Sequence, residues 1–323
     1  MAEKLDHMTR ILANDGITIG GKEALEQAGF EVVTERIPQE DLMEELKNFD
    51  AVLVRSATTI RKELIDGCPN IKLIGRGGVG MDNIDVEYAR EKGVEVINTP
   101  AAASESVAEL VFAHLLGLVR FLQESNRNMP LTGDTDFKGM KKRFAKGVEL
   151  RGKTMGIIGI GRIGQATARI ALGLGMKVVA TDPFIDKVTI TLNIEGASDV
   201  SVDINTVPMD DLFKESDFIS LHVPGDGNPV ITSKEIAKMK DGVGIINASR
   251  GGVVKEADLV KEIERGKVVF AGLDVFENEP KPAVNVLMQE QISLTPHIGA
   301  ATVEAQDRIG LELAEKIIAY FST

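Results

Sequence analysis

The sequence predicts an α/β protein of two doubly wound domains, each built on a parallel sheet. Short apolar runs alternate with helical segments along almost the whole chain, a pattern typical of parallel strands joined by crossover helices. One of these runs leads through a glycine-rich turn, residues 159–164, into a helix. The 323 residues are also enough for two separate hydrophobic cores.

The first third of the chain predicts one complete sheet. Its short apolar runs indicate strands, and the segments with helical period between them indicate helices. Strands are predicted at 10–13, 31–33, 51–54, 72–75 and 94–97, with helices at 22–28, 39–47 and 86–92.

A long helix and an arm are predicted between the two sheets. Residues 104–126 have too many apolar side chains for a surface helix, so this helix is expected to be packed on most sides. Residues 128–152 are rich in Gly, Lys, Asp and Thr and have little apolar periodicity. They are expected to form an extended arm.

The second sheet is predicted after this arm. Residues 188–207 are β-like, which is compatible with a hairpin, and the final helix is expected to return to the first domain. Strands are predicted at 155–158, 177–181, 218–223, 243–247, 268–272 and 292–294, with helices at 162–174 and 303–321.

The glycine-rich turn supplies the parts of a dinucleotide-binding βαβ unit in the right order. Gly159 allows the tight turn, Gly161 lets backbone amides approach a pyrophosphate, and Gly164 lets helix and strand pack closely. The helix N-terminus adds free N–H groups and a positive dipole end. Asp182, 18 residues after Gly164, can accept both ribose hydroxyls. The alternative is a turn of the same shape that holds no nucleotide.

This segment favours NAD over NADP as the cofactor. Asp182 would repel a 2′-phosphate, and no Arg or Lys follows it before Lys187. The cofactor-binding residues predicted here are Gly159, Gly161, Arg162, Ile163, Gly164 and Asp182.

Composition argues against several other classes of function. The net charge of −12 disfavours nonspecific nucleic-acid binding. Cys68 is the only cysteine, which excludes an internal disulfide and a multi-thiolate metal site and fits a reducing, cytoplasmic location. No metal is predicted. No apolar run reaches the length of a membrane span, and the N-terminus lacks a signal peptide's apolar core, so no membrane association is expected.

Three charged residues of the second sheet are expected to converge. Arg250, Glu279 and His297 each follow the carboxyl end of a predicted strand, where open α/β sheets bind ligands. An imidazole can take a hydroxyl proton, a carboxylate can fix its tautomer, and a guanidinium can grip a substrate carboxylate. This set suits hydride transfer between a nicotinamide and a 2-hydroxy acid. Taken singly, the Glu and the Arg could also be surface charges.

The four histidines differ in their sequence context. His7 lies in a polar N-terminal segment, and His114 lies in an apolar helix, where a packed or interface residue is expected. His222, followed by Val223 and Pro224, ends a strand and is expected to form a wall of the cofactor site. Elimination therefore favours His297 for proton transfer.

Four motifs together resemble a known family. Residues 159–164, 247–252, 272–280 and 295–302 are similar to motifs of the D-isomer-specific 2-hydroxyacid dehydrogenases, and the similarity runs from about Ile11 to the C-terminus. The resemblance implies a Rossmann domain, residues 102–297, inserted into a flavodoxin-like substrate domain made of residues 1–101 and 298–323. It also implies an active site in the cleft and a homodimer formed through the nucleotide domains.

The same resemblance implies roles for individual residues. Arg250 would bind the substrate carboxylate, Glu279 would support the histidine, and His297 would be the acid/base. Asp274 matches the acid that contacts the nicotinamide carboxamide, and Asp182 matches the acid that binds the ribose. Ser106 falls among the cofactor-binding residues.

Within the family, the likeness is to members that oxidise the phosphorylated acid 3-phosphoglycerate. Residues 54–58, 75–85, 104–110 and 297–302 carry it. Arg55 and Arg76 end neighbouring strands, and two guanidinium groups suit a phosphate; alternatively, each pairs with a nearby acid. The substrate-binding residues predicted are Arg55, Ser56, Arg76, Gly77, Gly78, Val79, Gly80, Arg250 and His297.

Some features depart from the family pattern and leave alternatives open. The sequence stops soon after the returning helix, so a C-terminal regulatory domain is not expected. Residues 225–228 replace the usual turn after Pro224, which leaves the adenine edge of the site open. The alternative activity is reduction of glyoxylate or hydroxypyruvate, which would not need both Arg55 and Arg76. A non-enzymatic, NAD-sensing corepressor is disfavoured by the complete catalytic trio.

Overall fold

The computed structural model describes residues 8–322, and they form two compact units. One unit contains the described residues up to Ala103 and from Ala300 onward, and the other spans Ser104–Gly299. The unit boundaries lie two residues beyond those predicted from the sequence. His7 falls outside the described residues.

The first unit is built on a five-stranded parallel sheet with the order β2-β1-β3-β4-β5. The C-terminal helix α13 packs against α1 at a point where two glycines meet, since a Cβ on Gly21 would lie 2.7 Å from the Gly310 carbonyl oxygen. The strands are β1 Arg10–Ala13, β2 Glu31–Val33, β3 Ala51–Val54, β4 Leu73–Arg76 and β5 Glu95–Asn98. The helices are α1 Ile19–Gln27, α2 Leu42–Glu45, α3 Lys62–Gly67, α4 Val86–Glu91 and α13 Val303–Phe321, and a 3-10 turn follows α2.

The second unit is built on a six-stranded parallel sheet with the order β13-β12-β11-β10-β6-β7, beside which β8 and β9 form an antiparallel hairpin. The predicted fold class of two parallel sheets is confirmed. The strands are β6 Thr154–Ile158, β7 Lys177–Thr181, β8 Lys187–Leu192, β9 Val200–Asn205, β10 Phe218–Leu221, β11 Val243–Asn247, β12 Val268–Leu273 and β13 Ile292–Leu294. The helices are α5 Ser104–Val119, α6 Leu122–Thr132, α7 Phe137–Arg143, α8 Arg162–Gly173, α9 Met209–Glu215, α10 Ser233–Ile236, α11 Glu256–Glu264 and α12 Val284–Leu287.

The helical stretch predicted over 104–126 is helical in the structure, but it is divided between two helices. Helix α5 ends at Val119, and α6 begins at Leu122 after Phe121, whose φ of 53° is left-handed. Its ring packs against Phe144 and Phe270, at centroid distances of 5.9 and 6.5 Å. These contacts offset a backbone conformation that disfavours side chains with a Cβ.

The prediction of an extended arm at 128–152 is wrong. Helix α6 continues to Thr132, and α7 follows over Phe137–Arg143. Met140 of α7 is buried, and three basic residues in its last turn complement the helix dipole. With Met140 as its one buried side chain among the described residues, α7 lacks the apolar period by which a sequence reveals a helix.

The predicted catalytic residues Arg250, Glu279 and His297 all follow strands of the second sheet. Its six strands are all parallel, so the segments that follow them emerge at the same edge. Among the described helices, none combines the length and the apolar character needed to cross a bilayer.

Candidate active site

The glycine-rich turn joins β6 to α8. Gly159 has a φ of 90°, and a Cβ there would lie 2.5 Å from the His222 carbonyl oxygen, while a Cβ on Gly164 would collide with the Gly159 carbonyl. No described atom lies within 4 Å of a Cβ built on Gly161, the residue that caps α8. Open space therefore lies beside the first amides of a 12-residue helix that begins at Arg162. This arrangement fits a pyrophosphate.

Asp182 follows β7 and lies against the same turn. Its Oδ2 accepts a hydrogen bond from the Ile160 amide and its Oδ1 one from the Phe184 amide, both at 2.9 Å. Each carboxylate oxygen retains a second lone pair, so two ribose hydroxyls can still be accepted. The two amide bonds fix the direction in which the carboxylate points.

His297 and Glu279 form a hydrogen-bonded pair at the ends of β13 and β12. The distance from His297 Nδ1 to Glu279 Oε2 is 2.8 Å, and Glu279 Oε1 accepts a hydrogen bond from the Phe276 amide at 2.9 Å. Both carboxylate oxygens are therefore engaged, which orients the carboxylate toward the ring. The His297 side chain is 48% exposed, so its Nε2 side can meet a substrate.

Arg250 follows β11 in a loop that is held by Asn247. The buried Asn247 donates to the Arg250 carbonyl at 2.9 Å and accepts from the amide and hydroxyl of Ser249. The Arg250 guanidinium donates to the Ser249 carbonyl at 2.7 Å. A Cβ on Gly251 would collide with the Phe276 carbonyl, so this loop lies directly against the loop that carries Glu279.

Asp274 is 1% exposed and binds the loop around His297. Its Oδ1 accepts from the Thr295 hydroxyl at 2.6 Å and from the Ile298 amide at 2.8 Å, and its Oδ2 accepts from the Gly299 amide at 2.8 Å. Sequence reasoning gave Asp274 a cofactor contact and missed this role. The amides that follow His297 gave no signal, because any residue supplies them.

His222 lies at the end of β10 beside the glycine-rich turn. Its Nε2 is 3.0 Å from the Thr167 hydroxyl and 2.9 Å from the Ser220 hydroxyl. Burial lowers the pKa of His222 to about 3, so the ring is neutral at physiological pH. Val223 and Pro224 follow it, and Ser106 lies buried in the first turn of α5.

The predicted substrate arginines belong to the first unit, at the ends of β3 and β4. Arg55 follows β3, and no described acidic side chain forms an ion pair with its guanidinium. Arg76 ends β4 and folds back over Gly78, where a Cβ would collide with its guanidinium. The Gly77 amide donates to the Val54 carbonyl and the Gly78 amide to the Thr99 hydroxyl. Of the predicted loop 77–80, only Val79 and Gly80 are therefore left as candidate amide donors to a substrate.

A cavity of about 280 Å³ lies in this unit between the loop after β1, the end of β3 and the start of α13. Arg55, Gly77 and Gln306 are among its lining residues. In the order β2-β1-β3-β4-β5, β2 is added on one side of β1 and β3 to β5 are added on the other, so the strand order reverses between β1 and β3. The carboxyl ends of the strands at such a reversal are the usual ligand site of an open α/β sheet.

Comparison with known proteins identifies the family. Residues 112–299 match the model of the D-isomer specific 2-hydroxyacid dehydrogenase NAD-binding domain. The chain belongs to this family of oxidoreductases. The match also covers the glycine-rich turn and Asp182, so the second unit is an NAD-binding domain.

Similar proteins differ in the substrate that their names indicate. Hydroxypyruvate reductase of Thermotoga maritima is 43% identical over 89% of this chain and 90% of its own length. D-3-phosphoglycerate dehydrogenase of Methanocaldococcus jannaschii is 39% identical over 96% of this chain, but this chain spans only 57% of that protein. Among solved structures, NAD⁺-bound 3-phosphoglycerate dehydrogenase of Entamoeba histolytica has a TM-score of 0.77 and 30% identity, over 98% of this chain and 96% of that one.

Proposed function

We propose that this protein catalyses the NAD-dependent oxidation of 3-phospho-D-glycerate to 3-phosphohydroxypyruvate, the first step of serine biosynthesis. The observation that carries the choice of substrate is the pair Arg55 and Arg76. They end two adjacent parallel strands, one on each side of a glycine loop. Two guanidinium groups so placed match a doubly charged phosphate better than a neutral hydroxymethyl group.

The acid–base step belongs to His297. Because Glu279 accepts the Nδ1 proton, Nε2 is the nitrogen left to take the proton of the substrate hydroxyl. The resulting imidazolium is stabilised by the Glu279 charge. Arg250 binds the carboxylate of the substrate. NAD, when bound, would supply the nicotinamide that accepts the hydride.

NAD is proposed over NADP because of the Asp182 carboxylate. Its two oxygens are fixed beside the turn by amide bonds, so the negative charge remains where a 2′-phosphate would lie. The residues that would hold the cofactor are those of the turn, together with Asp182 and the wall formed by His222, Val223 and Pro224.

Reduction of hydroxypyruvate or glyoxylate is the second candidate function. The relative of 43% identity, matched over 90% of its length, is named a hydroxypyruvate reductase, whereas the phosphoglycerate dehydrogenase of Methanocaldococcus jannaschii is matched over 57% of its length. This activity uses the same His297, Glu279 and Arg250. It differs only in having no phosphate to bind.

The test is NADH oxidation with 3-phosphohydroxypyruvate, hydroxypyruvate and glyoxylate side by side, repeated with NADPH. We expect kcat/KM to be about 100-fold higher for the phosphorylated substrate, and Arg55→Gln to lower that ratio about tenfold. The same variant should change the hydroxypyruvate rate less than threefold. Equal or better activity on hydroxypyruvate would overturn the phosphoglycerate proposal in favour of the second candidate.

We also propose a homodimer formed through the nucleotide-binding units. Large apolar side chains on α5, α6 and α7 are exposed, and a second copy of the chain would cover them. The exposed apolar side chains are Leu116, Leu122, Met129, Leu131 and Phe137. Light scattering in solution, which measures the mass of the protein, tests whether it is a dimer. The single, buried thiol of Cys68, whose pKa is raised by burial, supports a reducing cytoplasmic location.

A further inference from the structure

A line of hydrogen bonds runs from Gln123 in α6 to Asp274 through the buried imidazole of His114. His114 lies in the middle of α5 and is 2% exposed. Its Nδ1 is 2.7 Å from the Ser293 hydroxyl, and its Nε2 is 2.9 Å from the Thr295 hydroxyl. We call Gln123, Ser293, His114, Thr295 and Asp274, in this order, the His114 chain.

The donors and acceptors of the His114 chain fix its direction. The Thr295 hydroxyl uses its one proton to donate to Asp274 at 2.6 Å, so its oxygen must accept from His114 Nε2–H. At the other end, the Gln123 amide donates to the Ser293 oxygen at 3.0 Å. The Ser293 proton is then free to be donated to His114 Nδ1. A neutral imidazole with its proton on Nε2 satisfies every one of these atoms.

Burial supports the neutral form of this ring. It lowers the pKa of His114, and the Asp274 charge, which opposes this effect, is outweighed. The groups that touch the imidazole nitrogens from β13 and the following loop, Ser293 and Thr295, are uncharged. Protonation at Nδ1 would also take away the acceptor that the Ser293 hydroxyl uses.

Two glycines make room for the His114 chain. A Cβ on Gly272 of β12 would lie 2.9 Å from the His114 Cβ, and a Cβ on Gly117 would lie 2.5 Å from Gln123 Nε2. Glycine in the interior of a strand or helix is unfavourable. Its presence at both positions, each opposite a member of the chain, indicates that the local packing is adapted to these polar side chains.

The His114 chain ends at Asp274, the residue that binds the loop around His297. Asp274 accepts the amides of Ile298 and Gly299, which directly follow His297. The φ of His297 is 56°, a left-handed conformation that a residue with a Cβ adopts only when its surroundings hold it. The orientation of Asp274 therefore decides whether His297 is presented to Glu279.

We propose that His114 is a positioning residue of the active site, which orients Thr295 and Asp274 and through them the His297 loop. This inference rests on the acid–base role proposed for His297. It assigns His114 no contact with substrate or cofactor. It predicts that the proton on Nε2 matters, not only the volume of the ring.

The variants are His114→Met, which removes both nitrogens, and His114→Gln, whose amide can still donate to Thr295. We expect kcat for the preferred 2-oxo acid to fall about tenfold in His114→Met, with the KM for NADH within twofold, and to recover to within threefold of wild type in His114→Gln. In wild type, kcat should also fall on the acid side as His114 becomes protonated, and this loss should be absent in His114→Gln. Equal losses in both variants, or identical pH profiles, would overturn the proposal.

A second pair and a spectrum keep the test decisive if His114→Met does not fold. Thr295→Ser keeps the hydroxyl and should stay within threefold of wild type, whereas Thr295→Val should lose about tenfold in kcat.

In the free protein, the ¹⁵N spectrum of the imidazoles should show His114 as the neutral Nε2–H form at pH 7.5. An Nδ1–H or doubly protonated ring would refute the direction of the chain. This spectrum does not depend on turnover, so it separates a failure of this inference from a failure of the proposed function, which His297→Ala tests.

Discussion

Two histidines at the same edge of one sheet have opposite surroundings. His297, after β13, has a carboxylate at 2.8 Å and a side chain that is 48% exposed. His222, after β10, has only two hydroxyls near its Nε2 and a pKa lowered by burial to about 3. Both histidines follow a strand of the second sheet, so the fold places an imidazole at the same edge in each case. The partner and the access to solvent decide which of them can exchange a proton.

The contrast also explains what the second histidine can contribute. The carbonyl of His222 lies against Gly159 of the glycine-rich turn, and its ring contacts Thr167 of α8, the helix that follows this turn. A neutral ring at this point adds no charge beside the glycine-rich turn. We therefore expect His222 to shape this part of the site and not to transfer a proton.

Removing each imidazole in turn should give the largest difference between the two histidines. His297→Ala should lower kcat by about two to four orders of magnitude with NADH binding nearly unchanged, because the group that transfers the proton is lost. His222→Asn should act mainly on the KM for NADH and lower kcat less than tenfold. Steady-state kinetics and NADH fluorescence titration separate the two effects. A loss of less than tenfold in His297→Ala would remove it from the acid–base role.

A smaller effect is expected from the partner of His297. Glu279→Gln keeps an oxygen that accepts the Nδ1 proton, but it removes the charge that stabilises the imidazolium. We expect kcat to fall about 10- to 100-fold while the KM for NADH changes less than threefold. Glu277→Gln, two residues earlier in the same loop, is the matched control for the loss of one negative charge, because Glu277 also accepts a backbone amide, that of Glu256. Equal losses in the two variants would mean that overall charge, and not the pair with His297, is responsible.

The parts of this site that the sequence predicts are those whose residues lie close together along the chain or at a fixed spacing. The turn at 159–164 and Asp182 are recognisable because strand, glycines, helix and acid have a fixed spacing. The parallel arrangement of the strands follows from the alternation of strands and helices. Arg250, Glu279 and His297 are predictable as a group because each follows a strand of one parallel sheet.

The parts that the sequence does not predict depend on tertiary contacts. The break in the helix at Phe121 has no Gly or Pro to announce it and is stabilised by rings at 144 and 270. The contact between His114 and Ser293 joins residues 179 positions apart. In the sequence, His114 is only a polar residue in an apolar helix. Its hydrogen bonds exist because α5 packs on β13.

The stability of the fold in acid should depend on His222. Its pKa is about 3 in the folded protein against an ordinary value of 6.5 in the unfolded chain. Below pH 6.5 the unfolded chain takes up a proton that the folded one refuses, so the free energy of unfolding falls as the pH falls from 6.5 toward 3.

The largest slope that this single group can produce is about 1.4 kcal/mol per pH unit. The environment explains the low pKa, because His222 Nδ1 is buried and has no hydrogen-bond partner among the described residues, so a second N–H would be left unsatisfied. Urea unfolding of wild type and His222→Asn at pH 6.5, 5.5 and 4.5 isolates this group, since His114 is common to both proteins. The stability of wild type relative to the variant should drop by about 2 kcal/mol over this range. Parallel curves would show that His222 is protonated as readily as an exposed histidine, and the contrast with His297 would then rest on the carboxylate alone.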